Sequence, residues 1–468
     1  MRAPLDRRRL LKLAGGAAGS VYAIGLGAGL AASEEEAGPD ADHFLLQVIF
    51  PGGLDPTYLF DARSPALKQA GKHAFYLDEA PTVWRGDNGV DTLATSLVAP
   101  LAPFRDRFSV INGVVMVPAF DGHEQNIGWL ITGNAFSGES QLPHVNVGAA
   151  PAPLDYIQVG DGTLLTTITN TGNAVPLNAS SAASFAERLK ALTGVGQETA
   201  LNRFVRNRMQ VSARLPGTFG AGADAMAQGF TKMPQLMRTL ASVEIDTSTG
   251  DPILQQIQLI GEMFKGRVCR GGLFVFDTDL NPKQNLDTHD YESAAALPDV
   301  LPKLMGELAS IFRYLAETEY RDGRSLLDVT TVMVGSEFGR TLYQPWVQNG
   351  KMGTDHNPLT NTVLLGGRGI RGGCVIGGSD LYAVDEEVSS AHLSQDGQKL
   401  KAMGRPFDFA RGVVREDKPE AYVSGDYLNY ASVANTIYEV FGVGRERYRV
   451  VERNAGVAPV LGQLLELR

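Results

Sequence analysis

Short apolar runs closed by turn residues recur along this chain. Between them lie longer stretches whose apolar positions repeat at helical spacing. "HFLLQVIFPGGLD" (43–55) reads as a buried strand that ends in a Gly-Gly turn with Asp55 at its tip. "FSVINGVVMV" (108–117) is a second strand, and "PAFDGHEQNIGWLITGN" after it is a loop leading into a helix. "GGLFVFDTD" (271–279), "DVTTVMVGSEF" (328–338) and "NTVLLGG" (361–367) supply a third, fourth and fifth strand. In "ALPDVLPKLMGELASIFRYLAETEY" (296–320), Leu301, Leu304, Met305, Leu308, Ile311, Phe312 and Leu315 fall at the spacing of an amphipathic helix. Strands that are apolar throughout and alternate with helices predict an α/β fold, with a largely parallel central sheet and helices on both faces. Right-handed crossovers then set the carboxyl ends of the strands along one edge.

Polar chemistry collects at that edge. Asp55 follows the first strand, His123 and Glu124 the second, and Asp277, Asp279, Asp287 and His289 the third. Glu337 and Arg340 follow the fourth, and Asp355 and His356 come from the next loop. Open α/β sheets bind ligands outside the carboxyl ends of their strands. A lone Asp-His pair is most often a capped turn, but here His123, His289 and His356 each stand near a carboxylate at the ends of successive strands. Neutral imidazole with carboxylate suits zinc, manganese or iron, whereas oxygen-only loops would suit calcium or magnesium. Glu337 with Arg340 has a second reading, a buried ion pair that ties a loop down, since isolated buried charges must be paired. "GGRGIRGG" lacks the Lys-Ser/Thr of a phosphate-binding loop and reads as tight turns. His43, His73, His144 and His392 lie outside these clusters and read as surface or core residues.

Composition narrows the function classes. A net charge of −10 disfavours a nucleic-acid partner, which needs a basic face. The start, "MRAPLDRRRLLKLAGGAAGSVYAIGLGAGLAAS", places Arg7 and Arg8 before a small-residue run that holds six glycines. A membrane-spanning helix needs about 20 strongly apolar residues. Residues 1–32 therefore read as a twin-arginine export signal, with an uncleaved membrane anchor as the other reading. Export implies a periplasmic or extracellular protein with no membrane span after cleavage. Residues 33–42 form an acidic linker and 43–468 the α/β domain, within which 176–265 reads as a helical insertion, either a lid or a partner surface. Cys269 and Cys374 are too few for a disulfide framework, but an oxidising compartment would let them form one bridge.

The motifs "PGGLD", "LDTHDYE", "GSEFGRT", "GTDHNP" and "LLGGRGIRGGCVIGG", in this order behind the twin-arginine start, resemble the bacterial family designated domain of unknown function 1501 (DUF1501). Its members are similar to the alkaline phosphatase and sulfatase superfamily. The resemblance covers about residues 43 to 442 and is firmest from 286 to 378. It implies an alkaline-phosphatase-like fold in which Asp55 binds one metal, while Asp287, His289 and the late His356 hold a second. Glu337 would stand where the superfamily has an aspartate, and Phe338 where it has a histidine, which removes one ligand from the first metal. Asp355 would return to the site beside His356. The superfamily places Ser, Thr or a modified Cys at a helix N-terminus after the second strand. This chain has "FDGHEQNIGW" there. His123 is then a ligand, a nucleophile or a helix cap, Asn126 a contact for an oxyanion, and Arg340 a catalytic cation.

Two functional readings follow from the resemblance. One is an exported hydrolase of phosphate or sulfate esters using one or two divalent ions, with zinc first and manganese, calcium and magnesium as alternatives. Its nucleophile would be metal-activated water or His123, and its partner a small-molecule ester. The other is a non-catalytic relative that serves as an envelope binding or assembly protein and meets another envelope protein.

Overall fold

The computed structural model describes residues 42–63, 77, 79–116, 122–133, 141–146, 152, 154–160, 177–179, 250–276, 286–342, 353–383, 400–417, 424–443, 451–452 and 456–466. The expected signal (1–32), all of the linker but Asp42, and Asp277, Asp279, His73 and His392 lie outside this set.

An eight-stranded sheet organises the chain. Numbering its strands and the longer helices in chain order, the strands are β1 (Phe44–Ile49), β2 (Phe108–Asn112), β3 (Leu154–Gly160), β4 (Leu177–Ala179), β5 (Cys269–Val275), β6 (Thr330–Gly335), β7 (Thr362–Gly367) and β8 (Val375–Gly377). The helices are α1 (His123–Thr132), α2 (Pro252–Lys265), α3 (Tyr291–Glu317) and α4 (Tyr430–Phe441). The strand order is β8-β2-β7-β6-β1-β5-β3-β4. The pairings β6·β1, β1·β5, β5·β3, β3·β4 and β2·β8 are parallel. β7 alone runs against its neighbours, β6 and β2. The chain between β6 and β7 shows no crossover helix among the described residues, and a return without a crossover gives an antiparallel neighbour.

β1 is buried along its whole length because both faces are covered. Phe44, Leu46 and Val48 pack with α2 and α3, whereas Leu45 and Ile49 pack with α1 and α4. The result is a three-layer α/β/α sandwich, as the apolar runs predict. Helix α3 buries the expected face, Leu301 through Leu315, but starts earlier than position 296, because Asp290 caps it by accepting from Ser293 N–H at 2.8 Å. β3, β4 and β8 were not among the expected strands. β4 and α2 lie within the stretch read as an insertion (176–265), yet both belong to the sandwich, with α2 contributing Ile257, Ile260 and Phe264 to its core. Residues 180–249 lie outside the described set. Among the described residues no helix is long and apolar enough to cross a membrane.

The expected Cys269–Cys374 bridge does not exist. Both thiols are free and buried. Cys269 opens β5 and Cys374 precedes β8, five strand positions apart. At the usual spacing between strands that is roughly 24 Å, far beyond a disulfide's reach. They also belong to core clusters on opposite faces of the sheet.

Candidate metal centre

The centre starts at the turn after β1. Gly52 and Gly53 adopt φ of +106° and +78°, angles that side-chain-bearing residues rarely take. Space also demands glycine, because a Cβ on Gly53 would lie 2.6 Å from Phe338 Cε2 and 2.8 Å from Arg340 Nε. Bare backbone therefore meets the loop after β6. Gly52 N–H donates to Glu337 Oε1 at 2.8 Å. Arg340 Nε donates to Gly52 O at 3.1 Å and Gly53 O at 3.2 Å, and Arg340 Nη2 also donates to Gly52 O.

Backbone lacing then positions the histidines. Gly339–Arg340 pairs antiparallel with His356–Asn357. Thr341 N–H donates to Asp355 O, and Asp355 N–H donates back to Thr341 Oγ1, both at 2.8 Å. On the other side Thr354 N–H donates to Thr288 O at 2.7 Å, and the two threonine hydroxyls meet at 2.5 Å. Gly353 makes this approach feasible, since a Cβ there would stand 2.2 Å from His289 O. Phe338 closes the floor, its ring centroid 4.1 Å from that of His356. Helix α1, which begins at His123, delivers the third ring.

These elements bring four side chains to one point. His356 Nε2 lies 3.0 Å from His289 Nε2 and 3.1 Å from His123 Nε2. Asp287 Oδ1 lies 3.3 Å from His289 Nε2 and 3.7 Å from His123 Nε2. One ligand atom from each of His123, Asp287, His289 and His356 falls within 4.8 Å of all the others. Behind the rings stand carboxylates. His123 Nδ1 meets Glu337 Oε1 at 2.5 Å, and His289 Nδ1 is 3.5 Å from Asp355 Oδ1. An imidazole that donates from Nδ1 to a carboxylate presents a lone pair at Nε2. Glu337 thus turns the Nε2 of His123 toward the cluster, and Asp355 stands behind His289. Nitrogens and a carboxylate oxygen this close need either protons shared between them, for which 3.0 to 3.1 Å is the N–H···N distance, or a cation in their midst. Three nitrogens and one oxygen, with carboxylates behind the rings, fit a divalent transition ion.

Electrostatics keep two of the rings available. Burial, reinforced by the charge of Arg340, pushes His356 down to about 2 and lowers His289 as well. Burial acts against a charge on His123 too, but the hydrogen bond and charge of Glu337 outweigh it and raise that ring. For Asp287 burial favours the neutral acid, yet Arg340 and His289 together hold it below the ordinary carboxylate range. The cluster opens to solvent on the side of His289 and Asp287, whose side chains are 37% and 29% exposed.

Glu337 is fully buried and engaged by His123, Gly52 N–H and Ser336 Oγ, so it stands behind a ligand instead of joining the cluster. Asp355 Oδ1 accepts from His356 N–H at 2.8 Å and backs His289. Asp55 lies outside the four-residue cluster. It is buried and accepts from Thr57 N–H at 2.9 Å and Thr57 Oγ1 at 2.7 Å, capping a short helical turn. Asn126 is buried within α1 and donates to Gly122 O at 2.8 Å. Arg340 pairs with Asp287 Oδ1 at 2.5 Å and is closed off from solvent. His43 and His144 stand elsewhere, bonded to Thr331 and Tyr438. For His123, which its place beside Glu124 after the second strand marks in the sequence, the choice between ligand, nucleophile and helix cap is what the sequence leaves open, and the structure puts its Nε2 in the cluster.

A family model described as "Protein of unknown function (DUF1501)" matches residues 284–404. That window holds Asp287, His289 and His356 but not His123. A comparison with curated proteins finds no match. Among solved structures, the chain is similar to the lipoteichoic acid synthase LtaP from Listeria monocytogenes, with 9% identity, coverage of 77% of this chain and 73% of that one, and a TM-score of 0.32. It is also similar to Ps i-CgsB, solved in complex with k-i-k-neocarrahexaose, with 10% identity, coverage of 71% and 67%, and a TM-score of 0.25.

Proposed function

We propose that the protein is an exported metal-dependent hydrolase that acts on phosphate or sulfate esters, with zinc as the first candidate for its ion. One observation carries this reading, the convergence of His123, Asp287, His289 and His356 on one point, with the donor atoms that a transition ion takes. Nitrogen-rich donors favour zinc, with manganese next, and disfavour calcium or magnesium, which prefer oxygen alone. Bound there, such an ion would polarise an ester oxygen and lower the pKa of water.

The residues of the chain divide the remaining work. Glu337 holds the His123 ring with Nε2 toward the cluster, and Asp355 places a carboxylate 3.5 Å behind Nδ1 of His289. Arg340, buried and paired with Asp287, offsets part of the negative charge that the carboxylates bring to the site. His123, whose Nδ1 meets Glu337 and whose Nε2 faces the other three donors, serves as a ligand in this reading and not as a nucleophile. Export rests on the twin-arginine reading of residues 1–32.

A second reading keeps the metal without turnover, as an envelope binding or assembly protein. It is favoured by the start of α1, where Gly122 is the cap and His123 the first residue, so no hydroxyl or thiol nucleophile stands there. Metal analysis of purified protein, followed by assays on p-nitrophenyl phosphate and p-nitrophenyl sulfate, separates the two. Bound transition metal with chelator-sensitive turnover supports the hydrolase, and bound metal with no turnover of either ester supports the second reading. In both, His289→Ala and His356→Ala are expected to lose bound metal, and unchanged zinc affinity in these variants would remove the centre.

A further inference from the structure

Two buried polar atoms beside the centre have no hydrogen-bond partner among the described residues, Asp55 Oδ2 and Arg340 Nη1. They belong to one electrostatic neighbourhood. The Arg340 charge acts on Asp55, on Asp287 and on the rings of His123, His289 and His356. The guanidinium is held from three directions, by Asp287 Oδ1 at 2.5 Å and by the carbonyls of Gly52 and Gly53. Carboxylate and backbone carbonyl oxygens are also what a hard divalent cation would use. A buried guanidinium placed among them does the electrostatic work of such a cation, and it cannot be deprotonated.

From this placement we propose that Arg340 is a built-in second cation, which occupies the ground between Asp287 and Asp55 and restricts the centre to a single metal ion per chain. The inference deepens the metal-centre reading and rests on it. His123, Asp287, His289 and His356 would hold the ion. The guanidinium holds Asp287 Oδ1 from the buried side and fixes the Gly52–Gly53 turn. Asp55, next to Pro56 against which Gly339 packs, is the carboxylate that a second ion would recruit. Arg340 is thus a positioning residue that sets stoichiometry. A second divalent ion would have to expel a buried charge that already has its acceptors, or endure its repulsion at close range in a poorly screened interior.

The test is a zinc titration of chelator-stripped protein, with bound ions counted by native mass spectrometry. Wild type is expected to take one zinc ion per chain. Arg340→Met removes the charge while keeping an unbranched side chain, and is expected to take two ions. Asp55→Asn in the Arg340→Met background should return the count to one. Arg340→Lys, which keeps a cation, should stay at one. Wild type that binds two ions overturns the role of Arg340 but leaves the metal centre standing, and this measurement needs no variant to fold. A folded Arg340→Met that still takes a single ion overturns it equally. Wild type that binds no zinc removes the centre itself, and this inference with it.

Discussion

At the residue scale, Glu337 illustrates how burial assigns a role. A carboxylate at the end of a strand and near a histidine reads as a ligand, but Glu337 is enclosed and accepts from His123 Nδ1 and Gly52 N–H. Glu337→Gln should keep the shape and lose the charge that orients and polarises His123. Zinc affinity is expected to fall about 10- to 100-fold, measured by competition with a chromogenic chelator, and unchanged affinity would make Glu337 a purely structural residue. Asp55 supports a prediction about pH. Burial, only partly offset by Thr57 and Arg340, raises its folded-state value from 3.8 to about 6. Between those values the folded chain holds more protons than the unfolded one, so the contribution of Asp55 is full below about pH 4 and is lost as pH rises through about 6. Asp55→Asn has no charge to bury. In chelator-treated protein it is expected to gain on wild type as pH rises from 4 to 7, by up to about 3 kcal/mol, read from urea unfolding at each pH. A constant difference between the two proteins would contradict the burial of an ionised Asp55.

At the scale of elements, the Gly-Gly turn after β1 and the 353–357 segment form the frame of the centre. Gly53 combines positive φ with a close approach to Phe338 and Arg340. Gly323 has a similar φ of +74° but nothing within 4 Å of an added Cβ. Gly323→Ala should therefore cost only the backbone term, about 1 kcal/mol. Gly53→Ala adds overpacking to the same term and should cost about 2–4 kcal/mol, with weaker zinc binding because Arg340 and Phe338 must move. Equal losses in the two variants, by chemical denaturation, would mean that the turn does not press on the site. The sheet sets these contacts. β1 lies between β6 and β5, so the turn after β1 stands beside the loop after β6 and the chain that continues from β5.

At the scale of the whole molecule, the sandwich separates what the sequence places in similar Gly-rich settings. Cys269 and Cys374 lie five strands apart on opposite faces of the sheet. Protein denatured without reductant should yield two free thiols per chain in a dithionitrobenzoate assay, while the folded protein reacts slowly because both are buried. A denatured chain with no reactive thiol would point to a bridge and to a different strand order.

Much of this architecture is local in origin and could be read from the chain. The apolar runs of β1, β2, β5, β6 and β7 and the spacing of Leu301 to Leu315 are periodicities, and a strand buried on both faces has to be apolar throughout. Asp287, His289 and His356 were also legible, because a sheet of this kind gathers polar residues at the carboxyl ends of its strands. The three-residue strands β4 and β8 escaped because brief segments leave little periodic signal, and the seven-residue β3 escaped because Asp155 and Gln158 interrupt its apolar run. Their place in the sheet, like the reversal of β7, follows from pairing between distant segments. The division of labour among carboxylates was equally out of reach. Glu337, Asp355, Asp55 and Asp287 are alike as residue types, and what separates them is which hydrogen-bond partner and how much solvent each one meets. Those are properties of three-dimensional enclosure. They arise only when the turn after β1, the loop after β6 and the start of α1 are pressed together, as they are around His123, whose two ring nitrogens face a carboxylate and the cluster at once.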